Sequence, residues 1–338
     1  MTTLISLLSD QTLPNVLFIE AVKTNIDAYI FINTQRMERE QKMDVIIKTC
    51  QLKPSQCSAL IVDPEQYDAT IETLRKESWS SDSRFLIHIT GGTKMMALAV
   101  KDFFQNHPHA EVYYIPIGQS KGYALTPNLQ HIDLPQITLQ QYLAAYGYSY
   151  IHSNRPELSH PTAHQLFEKV LKKGHPAKVD AIINSVKKDY QGEHKKWYSG
   201  EWFEEWLYEK CKTLLNLPEE NIAMKVKIKN HKSETPSESD NEFDVLFVKN
   251  NKLFIIEAKV YSRMKLPAGL IINPMYKIAS QQTFLGLHAH SIVAILFPLW
   301  RNPQRAQRIN DLKRVLRIHQ VWDLNDLKNF TPLIQSLG

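Results

Sequence analysis

The sequence contains no apolar run approaching the ~20 residues a helix needs to span a bilayer, and this argues against a membrane protein. The N-terminal Met1-Thr2-Thr3-Leu4-Ile5 lacks the basic segment that opens a secretory signal. Cysteine is scarce. Cys50, Cys57 and Cys211 are odd in number and far apart, with no CxxC pair, which excludes a disulfide framework and a cysteine zinc site and points to the reducing cytoplasm. GxGxxG and GxxxxGK[ST] are also missing, so neither a dinucleotide fingerprint nor a P-loop is supported, and a nucleotide-binding oxidoreductase is disfavoured. What remains is ordinary globular composition, 43% hydrophobic and 22% charged, over 338 residues, enough for two domains with proper cores. The net charge of +5 permits polyanion partners without demanding them.

The first half alternates strand and helix patterns. Apolar runs at Leu4–Leu8, Ala28–Asn33, Ser58–Val62 and Arg84–Ile89 are separated by helical patterns at Leu13–Val22, Met37–Cys50, Glu65–Glu77 and Lys94–Gln105. Val112–Ile117 and Gly122–Leu125 end the series as a hairpin. Continuous apolar strands between helices predict an α/β, doubly wound parallel sheet covered on both faces. Ligands of such sheets lie at the carboxyl ends of the strands. Those ends carry Ser9-Asp10-Gln11, Asn33-Thr34-Gln35, Asp63-Pro64 and Thr90-Gly91-Gly92-Thr93-Lys94. Two readings of the last stretch stand. It is an anion site, with glycines admitting close approach and a helix N-terminus plus Lys94 supplying positive charge. Or it is a tight turn that requires glycine, with Lys94 solvated.

The second half is organised differently. Residues 151–198, rich in Lys, His and Pro, are helical at Ala163–Lys172 and Val179–Lys188 and read as a connector. A helix follows in "GEWFEEWLY", with Phe203, Trp206 and Leu207 on one face; Asn221–Lys229 alternates as a strand and His231–Asp240 is a polar loop. Next comes "NEFDVLFVKNNKLFIIEAKV", residues 241–260, two apolar runs joined at Asn250-Asn251. Asparagine tolerates positive φ, so a two-residue turn is expected there. That turn sets Asp244 opposite Glu257 and Glu242 opposite Lys259, all on one face. Two carboxylates at the ~5 Å of a cross-strand pair repel, and a divalent cation between them reverses the sign. Oxygen ligands favour Mg²⁺ or Mn²⁺. Lys259 stands beside them to orient water or to meet phosphate charge, and Glu204 on the preceding helix offers a third carboxylate. The competing reading makes Glu242–Lys259 an edge ion pair and leaves Asp244 and Glu257 exposed. Against it, "LFIIEAKV" is apolar on both faces around Glu257, and a buried acid is seldom filler.

Asp244…Glu257-Ala258-Lys259 resembles the D…(D/E)xK signature of the PD-(D/E)xK nucleases, a restriction-endonuclease-like α/β fold, with Glu204 at the place of their helix acid. "SDQTLPN" at residues 9–15 and "TGGTK" at residues 90–94 resemble a CARF domain. The order of the two is similar to that in the ancillary nucleases of type III CRISPR antiviral defence that cyclic oligoadenylates activate. The resemblance implies a CARF domain at residues 1–145, a helical connector at 146–198 and a nuclease domain at 199–338. It implies that Asp244, Glu257 and Glu204 hold Mn²⁺ or Mg²⁺, with Lys259 assisting; Glu242, opposite Lys259 in the expected register, is counted among the catalytic residues. Ser9, Asp10, Gln11, Thr12, Asn15, Thr34, Thr90, Gly91, Gly92, Thr93 and Lys94 would bind the activator, cyclic tetra-adenylate, across a homodimer, and RNA or DNA would be cut. The family often carries cysteine where Ala258 stands and a paired glycine where "FLGLHAH" has Gly286 alone. Gln281 and Gln282, on the helix before it, have two readings, contact with the strand being cut or plain solvation, and the second is favoured. A second function class remains: a ligand-sensing nucleic-acid-binding regulator without nuclease activity, reading DNA through Lys172, Lys173, His175 and Lys178.

Overall fold

The computed structural model describes residues 1–116, 118–126, 131–152, 160–173, 197–230, 242–261, 268–287, 289–300 and 302–337. It divides into two compact units, Met1–Ile137 with Gln141–Tyr148, and Thr138–Gln140 with Ser149–Gly338. No helix among the described residues is long and apolar enough to cross a membrane. The expected helix at Val179–Lys188, the loop at His231–Asp240, and His175 and Lys178 lie outside the described residues.

In the first unit β1 (Thr2–Leu7), β2 (Ala28–Asn33), β3 (Cys57–Ile61), β4 (Arg84–His88) and β5 (Ala110–Tyr114) are parallel, in the order β3-β2-β1-β4-β5. The antiparallel strands β6 (Lys121–Ala124) and β7 (Ile132–Asp133) extend the sheet beyond β5, so the expected terminal hairpin is present. Helices α1 (Leu13–Val22), α2 (Gln35–Arg39), α3 (Lys42–Cys50), α4 (Tyr67–Arg75), α5 (Lys94–Phe104) and α6 (Leu139–Ala145) complete the unit. The single helix expected at Met37–Cys50 is two, because Gln41 adopts φ +53 and breaks the run between α2 and α3. On α5 the buried residues Met96, Ala99, Val100 and Phe104 recur at helical spacing, and Met96, Val100 and Phe104 pack with Ile5, Leu7, Ile32, Phe85 and Ile87 of the sheet. Because β2, β1 and β4 are neighbours, the loops after them lie side by side at one edge.

The second unit has a six-stranded sheet in the order β13-β12-β11-β10-β9-β8. Its strands are β8 (Tyr148–His152), β9 (Ile222–Asn230), β10 (Glu242–Lys249), β11 (Lys252–Val260), β12 (Ala289–Leu296) and β13 (Gln320–Trp322). Strands β9, β10 and β11 are antiparallel, whereas β12 and β13 run parallel to β11. The helices are α7 (His160–Lys173), α8 (Trp202–Leu214), α9 (Ala268–Gln282), α10 (Pro303–Val315), α11 (Leu324–Lys328) and α12 (Phe330–Gln335). One sheet face, through Val245, Phe247, Phe254, Ile256, Ala258 and Ile292, joins an aromatic core with Phe167, Trp202, Phe203 and Trp206 of α7 and α8. By strand alternation Asp244 and Glu257 face the other way, where α9 packs on β11 and β12.

The segment set apart as a connector is therefore not a separate element where it is described. β8 is the edge strand of this sheet, and α7 buries Ala163, Leu166, Phe167 and Val170 in its core. Helical periodicity in a Lys- and His-rich stretch concealed an apolar stripe that needed a partner.

Glycine is required at one point of the first unit's edge. A Cβ on Gly91 would lie 2.2 Å from the Leu7 carbonyl oxygen, and Gly92 has φ +73. The βα turn passes against the β1 backbone, which cannot move aside as a side chain would. Gly91→Ala should destabilise the protein by about 2 kcal/mol or more, read from chemical denaturation; an unchanged midpoint would show that the turn is not held there.

Candidate active site

The site begins with a hairpin turn. Asn250 and Asn251 have φ +52 and +58, the paired left-handed geometry of a type I′ turn. The ladder then runs from Lys249 opposite Lys252 to Val245 opposite Ile256, as the turn demands. There it stops, one step before Asp244. The Asp244 carboxylate takes over, its Oδ2 accepting the Ala258 backbone N–H at 2.6 Å. On the other side β9 pairs with Phe243 and Val245 but not Asp244. Lys225, at the skipped position, has φ +50, a left-handed conformation that a lysine adopts only under constraint. Asp244 thus sits at a break in both ladders, where backbone pairing gives way to side chains.

Three oxygens converge on the Lys259 ammonium: Glu257 Oε1 at 2.6 Å, Ala258 O at 3.0 Å and Asp244 Oδ2 at 3.4 Å. Glu257 is almost fully buried, at 1% exposure, and Asp244 is 8% exposed. Both acids thus contact one ammonium group. Glu242 does not join them. The ladder with β11 ends before it, and Glu242 is exposed, opposite Lys227 of β9 with 3.9 Å between their charged atoms.

Two lysines join the site that no local pattern announced. Lys277 of α9 binds both oxygens of Glu257, at 2.8 and 3.1 Å. Buried Lys225 donates to Glu201 at 2.5 Å. Helix α9 is tied to the end of β11 by its own irregularity. Pro274 has no N–H for the Leu270 carbonyl, and the Tyr261 hydroxyl, two residues beyond Lys259, donates to that carbonyl instead. Gln281, one turn beyond Lys277, is 3% exposed, not solvated, and its amide atoms have no partner among the described residues.

Burial, then the charge of Glu257, pushes Asp244 from 3.8 up to about 6, with Lys259 and the Ala258 N–H opposing. Glu204, half-buried in the first turn of α8, is pushed from 4.5 to about 8 by burial and next by the Asp244 charge. Burial opposes charge on Lys259, yet Asp244 and Glu257 outweigh it and hold the ammonium above the ordinary lysine range. Among the described residues no three His, Cys, Asp or Glu side chains already form a metal-holding group. The donors that do converge, two carboxylates and a carbonyl around an ammonium, are all oxygen and already hold a cation. They fit a hard divalent ion, with Glu204 close enough for its charge to be felt.

In the first unit the sequence candidates part company. Asn15 is buried and donates to Ser6 Oγ and Leu7 O, each at 2.8 Å. Thr12 is buried and donates to Ala145 O, and Thr34 caps α2 by accepting from Met37 N at 3.2 Å. Thr34 is consumed by the start of the next helix, whereas the buried amide oxygen of Asn15 has no partner among the described residues. Thr90 accepts from Ile115 N at 2.7 Å, and Thr93 caps α5 and donates to Pro64 O at 2.5 Å. Ser9 donates to Gln11 O at 3.3 Å, and Gln11 accepts from Tyr146 Oη at 3.1 Å. Asp10 is held by Arg36 at 3.0 and 3.1 Å, a cation the sequence reading passed over. Lys94 is exposed at the first turn of α5.

Residues 3–142 match the family model of the Card1 CARF domain, and residues 191–329 match that of the Card1-like endonuclease domain. The chain is a Card1-like CARF nuclease. Can2 from Sulfobacillus thermosulfidooxidans, solved with cyclic tetra-adenylate, is similar over 97% of each chain, with a TM-score of 0.71 and 21% identity. Protein VC1899 from Vibrio cholerae is similar over 99% of this chain and 97% of its own, with a TM-score of 0.74 and 17% identity. A type III CRISPR defence DNA nuclease activated by cyclic oligoadenylate is 17% identical and gives 0.55, over 87% of this chain and 45% of that one. These likenesses concern the fold. No curated protein matches significantly. Together the two domains of this CARF nuclease contain the turn at Gly91 and the cluster at Asp244 and Glu257.

The acids give the nuclease domain a pH signature. In the unfolded chain Glu204 titrates near 4.5, in the folded chain near 8. Between those values the native state holds the extra proton, so its contribution to stability is greatest at low pH and is lost as pH rises through the window. Glu204→Gln should therefore flatten the fall in melting temperature between about pH 5 and 8 measured without divalent ions; an equally steep fall in the variant would show that Glu204 does not hold that proton.

Proposed function

We propose that this protein is a divalent-metal-dependent endonuclease switched on by a cyclic oligoadenylate. The observation that carries the reading is the convergence of buried Asp244 and Glu257 on Lys259 inside a Card1-like endonuclease domain. Asp244, Glu257 and the Ala258 carbonyl would hold Mg²⁺ or Mn²⁺, with Glu204 supporting it or its waters. The ion supplies Lewis-acid polarisation of a phosphodiester and a more acidic bound water. Lys259 holds the two carboxylates together, and its ammonium is placed to meet phosphate charge. The Asp244 bond to the Ala258 N–H fixes the spacing of strands whose ladder has ended. The aromatic core under the opposite sheet face holds β10 and β11 rigid beneath the reacting group.

In the CARF domain the first turn of α5, with Lys94 and the free N–H groups of a helix start, offers an anion site at the sheet edge. A ring of repeated phosphates has internal symmetry, and two chains related by a two-fold axis would each present that edge to one ring. Cyclic tetra-adenylate, seen with Can2, is the first activator to try. Binding that favours one arrangement of a homodimer would bias the tethered nuclease domains, in keeping with a role in type III CRISPR antiviral defence. With Mn²⁺ and activator, labelled RNA or DNA should be cut by the wild type. Glu257→Ala should lose at least ~10³-fold in rate, in the range of removing one key catalytic group, with activator affinity intact. Lys94→Ala should weaken activator binding in calorimetry and leave Mn²⁺ binding unchanged. Cleavage retained by Glu257→Ala would overturn the site assignment.

A further inference from the structure

The Lys277 contact goes beyond the carboxylate–lysine set and rests on the metal-dependent reading above. In the protein without a divalent ion, Asp244 and Glu257 are balanced by two ammonium groups, Lys259 and Lys277. A divalent ion entering this set would add two positive charges beside two already present, so like-charge repulsion requires one ammonium to withdraw.

The two lysines are not equivalent. Lys259 leaves the same strand as Glu257 and is held by three oxygens, those of Asp244, Glu257 and Ala258. Lys277 comes from α9 and, at the site, grips Glu257 alone, through both oxygens. Its side chain is 38% exposed, whereas that of Glu257 is 2% exposed. A half-exposed ammonium on a four-carbon stem can swing to water at small cost; Lys259 would have to abandon a three-oxygen cradle. The anchoring of α9 to β11 through Tyr261 and Leu270 keeps the base of Lys277 beside the site when its tip departs. The neighbouring turn carries buried Gln281, whose unpaired amide gives this helix face a second polar group at depth.

We propose that Lys277 is the exchangeable counter-cation of the nuclease centre: it holds the Glu257 carboxylate in the metal-free protein and yields it to the divalent ion. Lys277 is then a positioning residue that competes with the metal. The released ammonium stays within a side chain's length of Glu257, beside any phosphate bound there.

The test is direct Mn²⁺ binding to the full-length protein, followed by the loss of the free-ion electron paramagnetic resonance signal, without substrate. Lys277→Met keeps the length of the side chain and removes the charge; it should bind Mn²⁺ about ten-fold more tightly than wild type, equivalent to ~1.4 kcal/mol. Lys277→Gln, as a second neutral variant, should do the same, and Lys277→Arg, which keeps the charge, should stay near wild type. Glu257→Gln should lose the site. Neutral variants that fold, with cooperative melting, and bind Mn²⁺ as wild type does or more weakly would overturn the exchange role while the metal site stands. Wild type and Glu257→Gln binding Mn²⁺ alike would overturn the metal reading itself, and the exchange role with it.

Discussion

The nuclease centre depends on the grip of one ammonium, that of Lys259, on Asp244, Glu257 and the Ala258 carbonyl. Two carboxylates this deeply buried cannot both stay ionised without a compensating cation; one would take up a proton. Asp244 shows the tension, its pKa raised to about 6 by burial and by Glu257. Lys259 and Lys277 supply the compensating charge, and the surrounding fold keeps the set together. The hairpin turn sets the register, the aromatic core holds the strands flat, and the end of the ladder at Val245 leaves the polar groups of Asp244 and Ala258 to each other.

Much of this was legible in the chain because it is local. Asn250-Asn251 demands a two-residue turn, the turn sets the pairing, and alternation decides which side chains share a face. The parallel sheet of the first unit was legible for a similar reason, since strands covered on both faces must be apolar throughout. The reasoning failed where the outcome depended on elements distant in sequence. Glu242 follows the register on paper, but the ladder ends before reaching it, and its charged neighbour is Lys227. Lys277 and Lys225 reach the site from α9 and β9, and nothing near them marks a carboxylate as their partner. Gln281 reads as polar and therefore wet, yet packing buries it.

The first unit teaches the complementary lesson. A polar residue at the end of a strand serves the fold or a ligand, and sequence does not separate the two. Thr12 and Thr34 are engaged in a buried bond and a helix cap, the Asn15 amide donates to Leu7 O while its oxygen has no partner among the described residues, and the Gly91 turn is explained by its approach to the Leu7 carbonyl. Lys94 and the α5 start remain available at the edge, with Arg36 and Asp10 as an ion pair nearby. A phosphate-rich ring suits such an edge, because helix N–H groups and a mobile lysine recognise charge and spacing without requiring a deep pocket.

The central claim is that Asp244 and Glu257 share a divalent ion. It is tested most directly by anomalous diffraction from crystals of the wild-type protein grown with Mn²⁺. The account predicts a single strong peak in each nuclease domain, bonded to Asp244, Glu257 and the Ala258 carbonyl oxygen. Mn²⁺ bound elsewhere, with those three oxygens still closed on Lys259, would contradict it.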